Sequence, residues 1–389
     1  MTETRSTPTS RDVVFTFFYD TYTDAVERGM MRPPDRLLST LMTSDRVDRL
    51  LVANPFRRPA THAGRILLRK NAPFPRTRDH ALVTPLRGRR SDPTGVDETA
   101  AEYERYDRAL ARTARRRGLA SPALITTNPL VAGFAPLDWT SEVLYYARDD
   151  WASHPSYATQ EAALRASYRA MADNGRPIAA VSQRILDVIE PTGPAEVVAN
   201  GVEPSEWSGP RPAEPAWLSR IPHPRALYVG TLDTRLDVEG IADLARRRPD
   251  LHVILMGPLP SPEYLAPLGV CPNVHVHPSV GRAELVATMR NVDLCLLAHR
   301  RTPLTEAMSP LKVYEYLAAG CPVVSIDLPP VRDIDDRVIL VDAVSDFADV
   351  IAAALDLGTA PEAERLAFVR DNSWASRHRV ILDMVFRAR

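Results

Sequence analysis

Short apolar runs alternate with longer amphipathic stretches along the first half of the chain. The apolar runs are rich in β-branched and aromatic residues, which is typical of buried strands. We predict strands over 12–18, 49–53, 81–84, 123–127, 142–146, 177–181 and 197–199. Helices are predicted over 33–42, 97–117 and 159–172. This order of elements favours a parallel α/β sheet covered by helices.

The same alternation restarts in the second half. Strands are predicted over 226–229, 251–255, 274–276, 294–297 and 322–326, and helices over 239–247, 282–289 and 311–319. The last stretch, 372–386, places a capping serine, Ser373, before apolar residues at helical spacing, so we expect a closing helix there. Two doubly wound halves follow from the pattern.

Eight prolines between residues 190 and 224 separate the two halves. We therefore predict an α/β fold with two Rossmann-like, doubly wound domains, over 11–205 and 206–371, and a helix over 372–389 that closes back toward the first domain. A central cleft between the domains is the expected ligand site, because pockets favour domain interfaces and the carboxyl ends of strands.

Composition narrows the class of protein. A chain of 389 residues suits two cores, and 45% apolar with 25% charged residues is ordinary for a soluble globular protein. The net charge of -1 disfavours a dedicated nucleic-acid partner. Three cysteines without Cys-x-x-Cys spacing indicate neither a disulfide framework nor a zinc site, which fits the reducing cytoplasm.

The first ten residues and the apolar runs do not suggest a signal peptide or a membrane span. Residues 1–10 lack the apolar core of a signal peptide and are expected to form a disordered leader. No apolar run is long enough to suggest a transmembrane segment. The basic runs over 65–78 and 115–117 are interpreted as a solvated loop and a helix end, in preference to a membrane surface or a lipid-phosphate site.

The segment Ser309-Pro-Leu-Lys-Val-Tyr-Glu-Tyr-Leu-Ala-Ala-Gly-Cys-Pro-Val-Val carries the strongest chemical signal. Ser309 is the expected N-cap, Pro310 the first helical residue, and Gly320 the left-handed terminator. The helix is apolar nearly all round except for Lys312 and Glu315, so it is predicted to be buried.

Lys312 and Glu315 lie three residues apart and share one side of this helix. Exposed amides over 309–312, including that of Leu311, form with Lys312 an anion site suited to a diphosphate. The Glu315 carboxylate suits a vicinal diol such as that of ribose. The alternative is an internal Lys312–Glu315 ion pair.

A second phosphate contact is predicted after the first strand of the second half. Gly230 and Thr231 follow that strand, where a glycine lets the backbone approach a phosphate, and Arg235 can bind it bidentately. The alternative for Arg235 is a surface salt bridge to Asp233 or Asp237.

Asp149 and Asp150 end a strand of the first half and are the candidates for a general base or an acceptor-orienting group. Their alternative role is to cap the segment that follows, and Asp149 is slightly preferred as the base. His154 is a further candidate, with simple exposure as the alternative. The loop residues Tyr19, Asp20 and Tyr22 are weaker candidates for the acceptor side.

These segments together resemble bacterial GT-B glycosyltransferases of group 1 (family-4-like), in particular the teichuronic acid biosynthesis branch. The likeness rests on 309–324, on 228–237, on the Asn-Gly-Val-Glu turn at 200–203, and on 145–151 and 179–182. Retaining members of the wider group carry two glutamates with seven residues between them; here Ala307 occupies the first position and Glu306 is displaced by one. Retention or inversion of the anomeric configuration therefore stays open.

The resemblance implies transfer of a hexose-like group from a nucleoside-diphosphate sugar, such as a UDP-sugar, to a small molecule, glycan or natural-product scaffold. Glu315 would hold the ribose, while Lys312 and Arg235 would hold the diphosphate and stabilise its departure. No metal cofactor is expected, and a homodimer is possible. The alternatives are a non-hydrolysing nucleotide-sugar epimerase and a catalytically silent sugar-nucleotide binder. A nicotinamide dehydrogenase is disfavoured because Gly-x-Gly-x-x-Gly is absent.

Overall fold

The computed structural model describes residues 11–68, 70–75 and 77–386. It divides into two compact units, of which the second covers Asn200–Ser376 and the first covers the remainder. The division after Ala199 lies inside the proline-rich segment, six residues before the predicted one. The predicted leader over 1–10 and the last three residues of the predicted closing helix lie outside the described residues.

A seven-stranded parallel sheet forms the centre of the first unit. Its strands are β1 Arg11–Thr16, β2 Val47–Ala53, β3 His80–Val83, β4 Ala123–Thr126, β5 Glu142–Ala147, β6 Ile178–Ala180 and β7 Ala195–Val197. The spatial order is β3-β2-β1-β4-β5-β6-β7, and all the pairs are parallel. The strand order therefore reverses between β1 and β4, which is the point where open sheets of this kind bind ligands.

Helices connect these strands and cover the sheet. They are α1 Tyr22–Glu27, α2 Pro33–Thr43, α3 Pro59–Leu67, α4 Val96–Arg116, α5 Pro129–Phe134, α6 Glu161–Asp173 and α7 Gln183–Ile189, with 3-10 turns at Trp151–Ser153 and Pro155–Gln160. One core cluster joins Val14, Leu51 and Leu124 of the sheet to Tyr106 and Leu110 of α4. Burial of this stripe explains why the most charged helix of the unit still packs on the sheet.

A six-stranded parallel sheet forms the centre of the second unit. Its strands are β8 Arg225–Val229, β9 His252–Met256, β10 Val274–His277, β11 Leu294–Leu297, β12 Val323–Ile326 and β13 Val338–Val341. Their order is β10-β9-β8-β11-β12-β13, so the reversal lies between β8 and β11. Both units are thus doubly wound, as predicted.

Helices also connect the strands of the second unit. They are α8 Pro204–Trp207, α9 Val238–Arg247, α10 Arg282–Met289, α11 Pro303–Ala307, α12 Leu311–Ala319, α13 Phe347–Leu357 and α14 Glu362–Asp371. 3-10 turns occur at Leu218–Arg220, Pro262–Leu268, Pro329–Val331 and Val344–Asp346.

The closing helix α15 spans Trp374–Phe386, and Ser373 caps it by accepting a hydrogen bond from the Ser376 N–H at 3.2 Å. From Arg377 onward this helix belongs to the first unit. There the Nδ1 of His378 lies 2.6 Å from the Oγ1 of Thr40.

The structure corrects the sequence-based elements in a few places. The strand predicted over 197–199 lies at Ala195–Val197, on the sheet edge, where a half-exposed strand has a weak apolar pattern. Strand β13 and helices α1, α3, α5, α7, α8, α11, α13 and α14 were not predicted. Within 11–68, 70–75 and 77–386, no helix has the length and apolar character needed to cross a membrane.

Candidate functional site

The candidate site of the second unit lies where its strand order reverses. Gly230 follows β8 and His299 comes two residues after β11, so both lie at the carboxyl ends of adjacent strands. Helix α12 follows β11 and brings Lys312 to the same place: its Nζ lies 3.1 Å from the Nε2 of His299. The predicted residues Gly230 and Lys312 are therefore brought together at one ligand-binding edge.

Two glycines with positive φ angles line this edge. Gly230 has a φ of 151° and Gly257, directly after β9, has a φ of 150°. A Cβ on Gly230 would lie 2.7 Å from the Nζ of Lys312, and one on Gly257 would collide with the carbonyl oxygen of Gly230. Only glycine lets the two loops and the lysine approach this closely. Gly257 was not predicted, although a Gly-Pro pair directly after an apolar strand was the available signal.

Lys312 holds its ammonium in a confined, cationic environment. Its Nζ lies 4.2 Å from the ring centroid of Tyr228. Burial, followed by the charge of Arg235, lowers the pKa of Lys312 to about 7. A lysine in this state is ready to gain a proton when an anion binds beside it.

His299 is the buried partner of Lys312 and was not predicted. Burial, with the charges of Lys312 and Arg235, holds its pKa well below the ordinary value, so the ring is neutral. Its Nε2 also lies 3.2 Å from the Tyr228 hydroxyl. As acceptor for Lys312, Nε2 leaves the ring proton on Nδ1, which is buried and has no hydrogen-bond partner among the described residues. A histidine after a buried strand was a weak sequence signal.

Arg235 lies in the loop after β8 and forms the salt bridge that was its alternative role. Its guanidinium donates two hydrogen bonds to the Asp233 carboxylate, at 3.0 and 2.8 Å. Partial burial alone would raise the pKa of Asp233, but the hydrogen bonds from Arg235 lower it. The Arg235 charge also depresses the pKa of Lys312, so both predicted cations act on one region. Thr231 is half-buried in the same loop.

The start of α12 differs from the prediction by one residue. The helix begins at Leu311, Pro310 occupies the N-cap position, and Ser309 is not the cap. Ser309 is instead tied to Asn200, whose side-chain amide donates to the Ser309 carbonyl at 2.7 Å. Gly320 ends the helix with a φ of 90°, as predicted. The helix start differs from the prediction because Ser309 is hydrogen-bonded to Asn200, which is distant in the sequence.

Glu315 lies on the same side of α12 as Lys312 and contributes to its electrostatic environment. Its carboxylate forms an ion pair with Arg282 of α10 at 2.6 Å. Arg282 also binds Glu206, at 2.5 Å, and its guanidinium lies 5.4 Å from the ring centroid of Trp207. The structure thus gives Glu315 an arginine partner that the sequence pattern missed, because the two residues lie on different helices.

Ala307 occupies the position where retaining members of the wider group carry the first of their two glutamates. Ala307 ends the short helix α11 and is buried, while the neighbouring Glu306 lies 3.8 Å from Arg301. In the part of the chain that the structure describes, no group of three or more His, Cys, Asp or Glu side chains is arranged to hold a metal ion.

Asp149 and Asp150 follow β5 of the first unit. Asp150 is buried at the N-cap position of the 3-10 turn Trp151–Ser153, but its side chain does not cap a backbone N–H of that turn; its Oδ2 accepts a hydrogen bond from the Ser153 hydroxyl. Its other carboxylate oxygen is buried without a hydrogen-bond partner among the described residues. Asp149 is half-buried. His154 accepts a hydrogen bond from the Ser156 N–H at 3.2 Å and so caps a 3-10 turn.

A cavity of ≈ 270 Å³ opens at the strand reversal of the first unit. Five of its twelve lining residues are aromatic, and four others are polar or charged: Phe18, Tyr19, Pro55, Phe56, Arg87, Asp92, Pro93, Thr99, Tyr103, Leu130, Tyr157 and Gln160. Of the weaker candidates, Tyr19 lines the cavity, Asp20 binds Arg28, and Tyr22 packs against Phe74. The cavity combines aromatic faces with several polar and charged side chains.

A comparison with known protein families finds a match within the second unit. Residues 223–357 match the family model described as glycosyl transferases group 1. The chain is also 30% identical over 104 residues to a putative teichuronic acid biosynthesis glycosyltransferase, TuaH, of Bacillus subtilis. That alignment covers 26% of this chain and 26% of the relative, so it spans about a quarter of the length of the curated protein.

Solved structures resemble the chain over nearly its whole length. An α,α-trehalose-phosphate synthase (UDP-forming) from Burkholderia vietnamiensis matches with a TM-score of 0.68 at 13% identity, covering 97% of this chain and 99% of that one. Sucrose-phosphate synthase from Thermosynechococcus elongatus gives 0.63 at 13% identity, covering 96% and 98%. Anabaena HepE, in complex with UDP and glucose, gives 0.60 at 15% identity, covering 97% and 100%. The chain therefore has the GT-B fold, and residues 223–357 of its second unit are similar to the group 1 glycosyltransferases.

Proposed function

We propose that this protein transfers a sugar from a nucleoside-diphosphate sugar to an acceptor. The observation that carries the proposal is the confined cation Lys312 beside the abutting glycines Gly230 and Gly257, in a unit that matches group 1 glycosyltransferases. Tight backbone turns and a half-buried cation at the carboxyl ends of strands suit a diphosphate.

The donor's diphosphate would lie against Gly230 and the start of α12. Binding of that anion favours the charged form of Lys312, because an adjacent negative charge raises a lysine pKa. Arg235 would exchange part of its bonding with Asp233 for a phosphate oxygen, since guanidinium groups bind both anions in the same forked manner. Thr231 and Leu311 lie beside this path, and Ser309 supports the start of α12.

The nucleoside would extend toward Glu315. A carboxylate can accept hydrogen bonds from two neighbouring ribose hydroxyls, and Arg282 holds this one in place at 2.6 Å. During transfer the bond between the anomeric carbon and the diphosphate oxygen breaks, and the diphosphate leaves with the electron pair. Lys312 and Arg235 stabilise the charge that develops on it.

The acceptor would occupy the aromatic cavity of the first unit. Its hydroxyl oxygen forms the new bond to the anomeric carbon, and its proton passes to a carboxylate, for which Asp149 is the better candidate. Asp150 is buried and bonded to Ser153, which leaves it less available. No metal is required in this scheme, because two protein cations serve the diphosphate.

We also propose that the protein acts in the cytoplasm. Cys271, Cys295 and Cys321 are buried free thiols, which supports a reducing cytoplasm.

A donor-binding assay with separate kinetics tests the function. Calorimetric titration with UDP, ADP and GDP identifies the base, and release of the matching nucleoside diphosphate from its glucose, galactose and N-acetylglucosamine esters measures turnover. We expect one nucleotide to bind and Lys312→Met to lower turnover sharply. Failure of every nucleotide to bind the folded protein would contradict the proposed function, and conversion of the donor to its epimer would show an epimerase instead.

A further inference from the structure

Helix α3 of the first unit turns its apolar side outward. It spans Pro59–Leu67 and contains no buried residue. Ile66 is 57% exposed, Leu67 83% and Leu68, which follows the helix, 63%. Three consecutive large aliphatic side chains at this exposure form a patch that folded proteins rarely leave uncovered without a use.

The helical spacing shows that this orientation involves a whole stripe. Pro59, Ala63, Ile66 and Leu67 recur at the intervals that place them along one side of a helix, and all four are exposed. The half-buried positions are His62, Gly64 and Arg65 on the other side. A helix that only covered a core would show the reverse arrangement.

The helix lies in the most basic part of the sequence. Residues 55–78 contain seven Arg and Lys and no Asp or Glu, whereas the whole chain has a net charge of -1. Arg58 and Lys70 flank the helix and are exposed. The patch therefore joins hydrocarbon side chains to positive charge, which is the combination that interfacial helices present to anionic lipids.

Both ends of α3 are tied to the first unit. Before the helix, the Arg57 N–H donates to the Pro85 carbonyl at 3.0 Å. After it, the Ala72 N–H donates to the Thr23 hydroxyl at 3.1 Å, and Phe74 packs edge-on against Tyr22. The outward side of α3 can thus enter a lipid interface while its attachments remain intact.

We propose that α3 docks this protein on the surface of an anionic phospholipid membrane. Ile66 and Leu67, the large aliphatic side chains of the stripe, insert among the outer acyl carbons, and Arg58 and Lys70 contact the phosphate groups. A nucleic acid would satisfy the cations but not the aliphatic side chains, and an apolar protein surface would satisfy the aliphatic side chains but not the cations. This replaces the interpretation of the basic run over 65–78 as a solvated loop.

Vesicle co-sedimentation of the full chain tests the proposal. We expect binding to vesicles of phosphatidylcholine with phosphatidylglycerol, weaker binding to phosphatidylcholine alone, and a decline in binding with added salt. Leu67→Ser should lower the apparent affinity about tenfold, because one buried leucine side chain is lost from the interface. Arg58→Glu should lower it about tenfold as well, because a charge is reversed at the surface.

Matched substitutions separate the patch from general surface effects. Val270 of the second unit is 82% exposed, so Val270→Ser removes an equally exposed aliphatic side chain. Arg370→Glu reverses a charge on an exposed arginine of α14. Both controls should bind the anionic vesicles as the unsubstituted chain does, and all four variants should keep the same melting temperature.

Two results would overturn the proposal. The first is absence of binding to the anionic vesicles, or binding that neither Leu67→Ser nor Arg58→Glu reduces. The second is a concentration-dependent dimer, seen by light scattering, that Leu67→Ser dissociates while the vesicles bind nothing; the patch would then join two copies of this chain. Neither result depends on transferase activity.

Discussion

Two helices of nine residues each depart from the usual distribution of polar and apolar side chains, in opposite directions. Helix α12 places a lysine against a buried histidine and a tyrosine ring in the second unit. Helix α3 turns isoleucine and leucine outward in the first. Each arrangement costs stability when nothing is bound, and each becomes favourable when a ligand arrives: an anion at Lys312, an apolar interface at Leu67. Local departures from the burial rule are therefore guides to sites.

The largest expected effect is a loss of turnover when the charge of Lys312 is removed from α12. Lys312→Met keeps the length of the side chain and removes its charge. Turnover with the donor sugar should fall about 100- to 1000-fold, because a charge that stabilises the leaving diphosphate is lost. Release of nucleoside diphosphate under saturating donor measures it.

The chain offers a matched control for this substitution, because it contains only two lysines, Lys70 and Lys312. Lys70→Met removes the exposed lysine next to α3 and should leave turnover unchanged. Equal losses in both variants would remove the assignment of Lys312 to the diphosphate.

A second comparison tests the orientation of the two helices directly. Leu317 of α12 is 3% exposed, whereas Leu67 of α3 is 83% exposed. Leu317→Ala should lower the free energy of unfolding by about 2–5 kcal/mol, because it leaves a cavity. Leu67→Ala should change it by less than about 0.5 kcal/mol. Urea titration of both variants measures the difference, and similar losses would contradict the outward orientation of α3.

The same two helices show how far the sequence predicts structure. The pattern predicts α12 over 311–319 because its core is apolar and Gly320 ends it locally. It misplaces the cap because Asn200, more than one hundred residues away, holds Ser309. A periodic pattern such as that of α3 defines a stripe but does not specify which side meets the core.

The residues of the candidate site also fall into two groups, those that a local sequence signal indicates and those that only tertiary packing brings together. Gly230 and Lys312 lie together as their local signals at the end of a strand and the start of a helix indicate, whereas Arg235 takes its alternative role, a salt bridge to Asp233. His299 and Arg282 were not predictable, because their contacts with Lys312 and Glu315 exist only once β11 and α10 have packed beside α12. The pKa of a lysine likewise depends on burial, which a sequence pattern does not measure.

A smaller effect is expected at the other charge of α12. Glu315→Gln keeps the shape of the side chain but weakens its bonds to Arg282 and to a ribose diol. The KM for the donor should rise about tenfold with little change in kcat, because hydrogen bonds to a charged group are lost in ground state and transition state alike. Steady-state kinetics measure the two constants separately.

Glu284 provides the control, since it lies on α10 two residues from Arg282 and accepts a hydrogen bond from the Trp217 ring at 2.9 Å. Glu284→Gln should leave the donor KM unchanged. A loss of kcat without a rise in KM in Glu315→Gln would place Glu315 at the reacting sugar instead of the nucleoside.

The most specific effect is a pH dependence that α12 should have and α3 should lack. Confinement lowers the pKa of Lys312 from 10.5 to about 7. Between these values the unfolded chain carries a proton that the folded chain does not, so the Lys312 contribution makes stability rise with pH through this window and stay level below it. Lys312→Met should remove that slope from urea titrations, whereas Lys70→Met should keep it.

Donor binding should show the opposite trend, because the diphosphate binds the protonated form of Lys312. Affinity for UDP-glucose, whose diphosphate is fully ionised across neutral pH, should be highest and level below pH 7 and weaken above it by up to about tenfold per pH unit. Calorimetry in buffers of different ionisation enthalpy should detect proton uptake on binding. In Lys312→Met both the slope and the uptake should disappear; if they persist, another group carries the proton, and the contrast between the two helices rests on α3 alone.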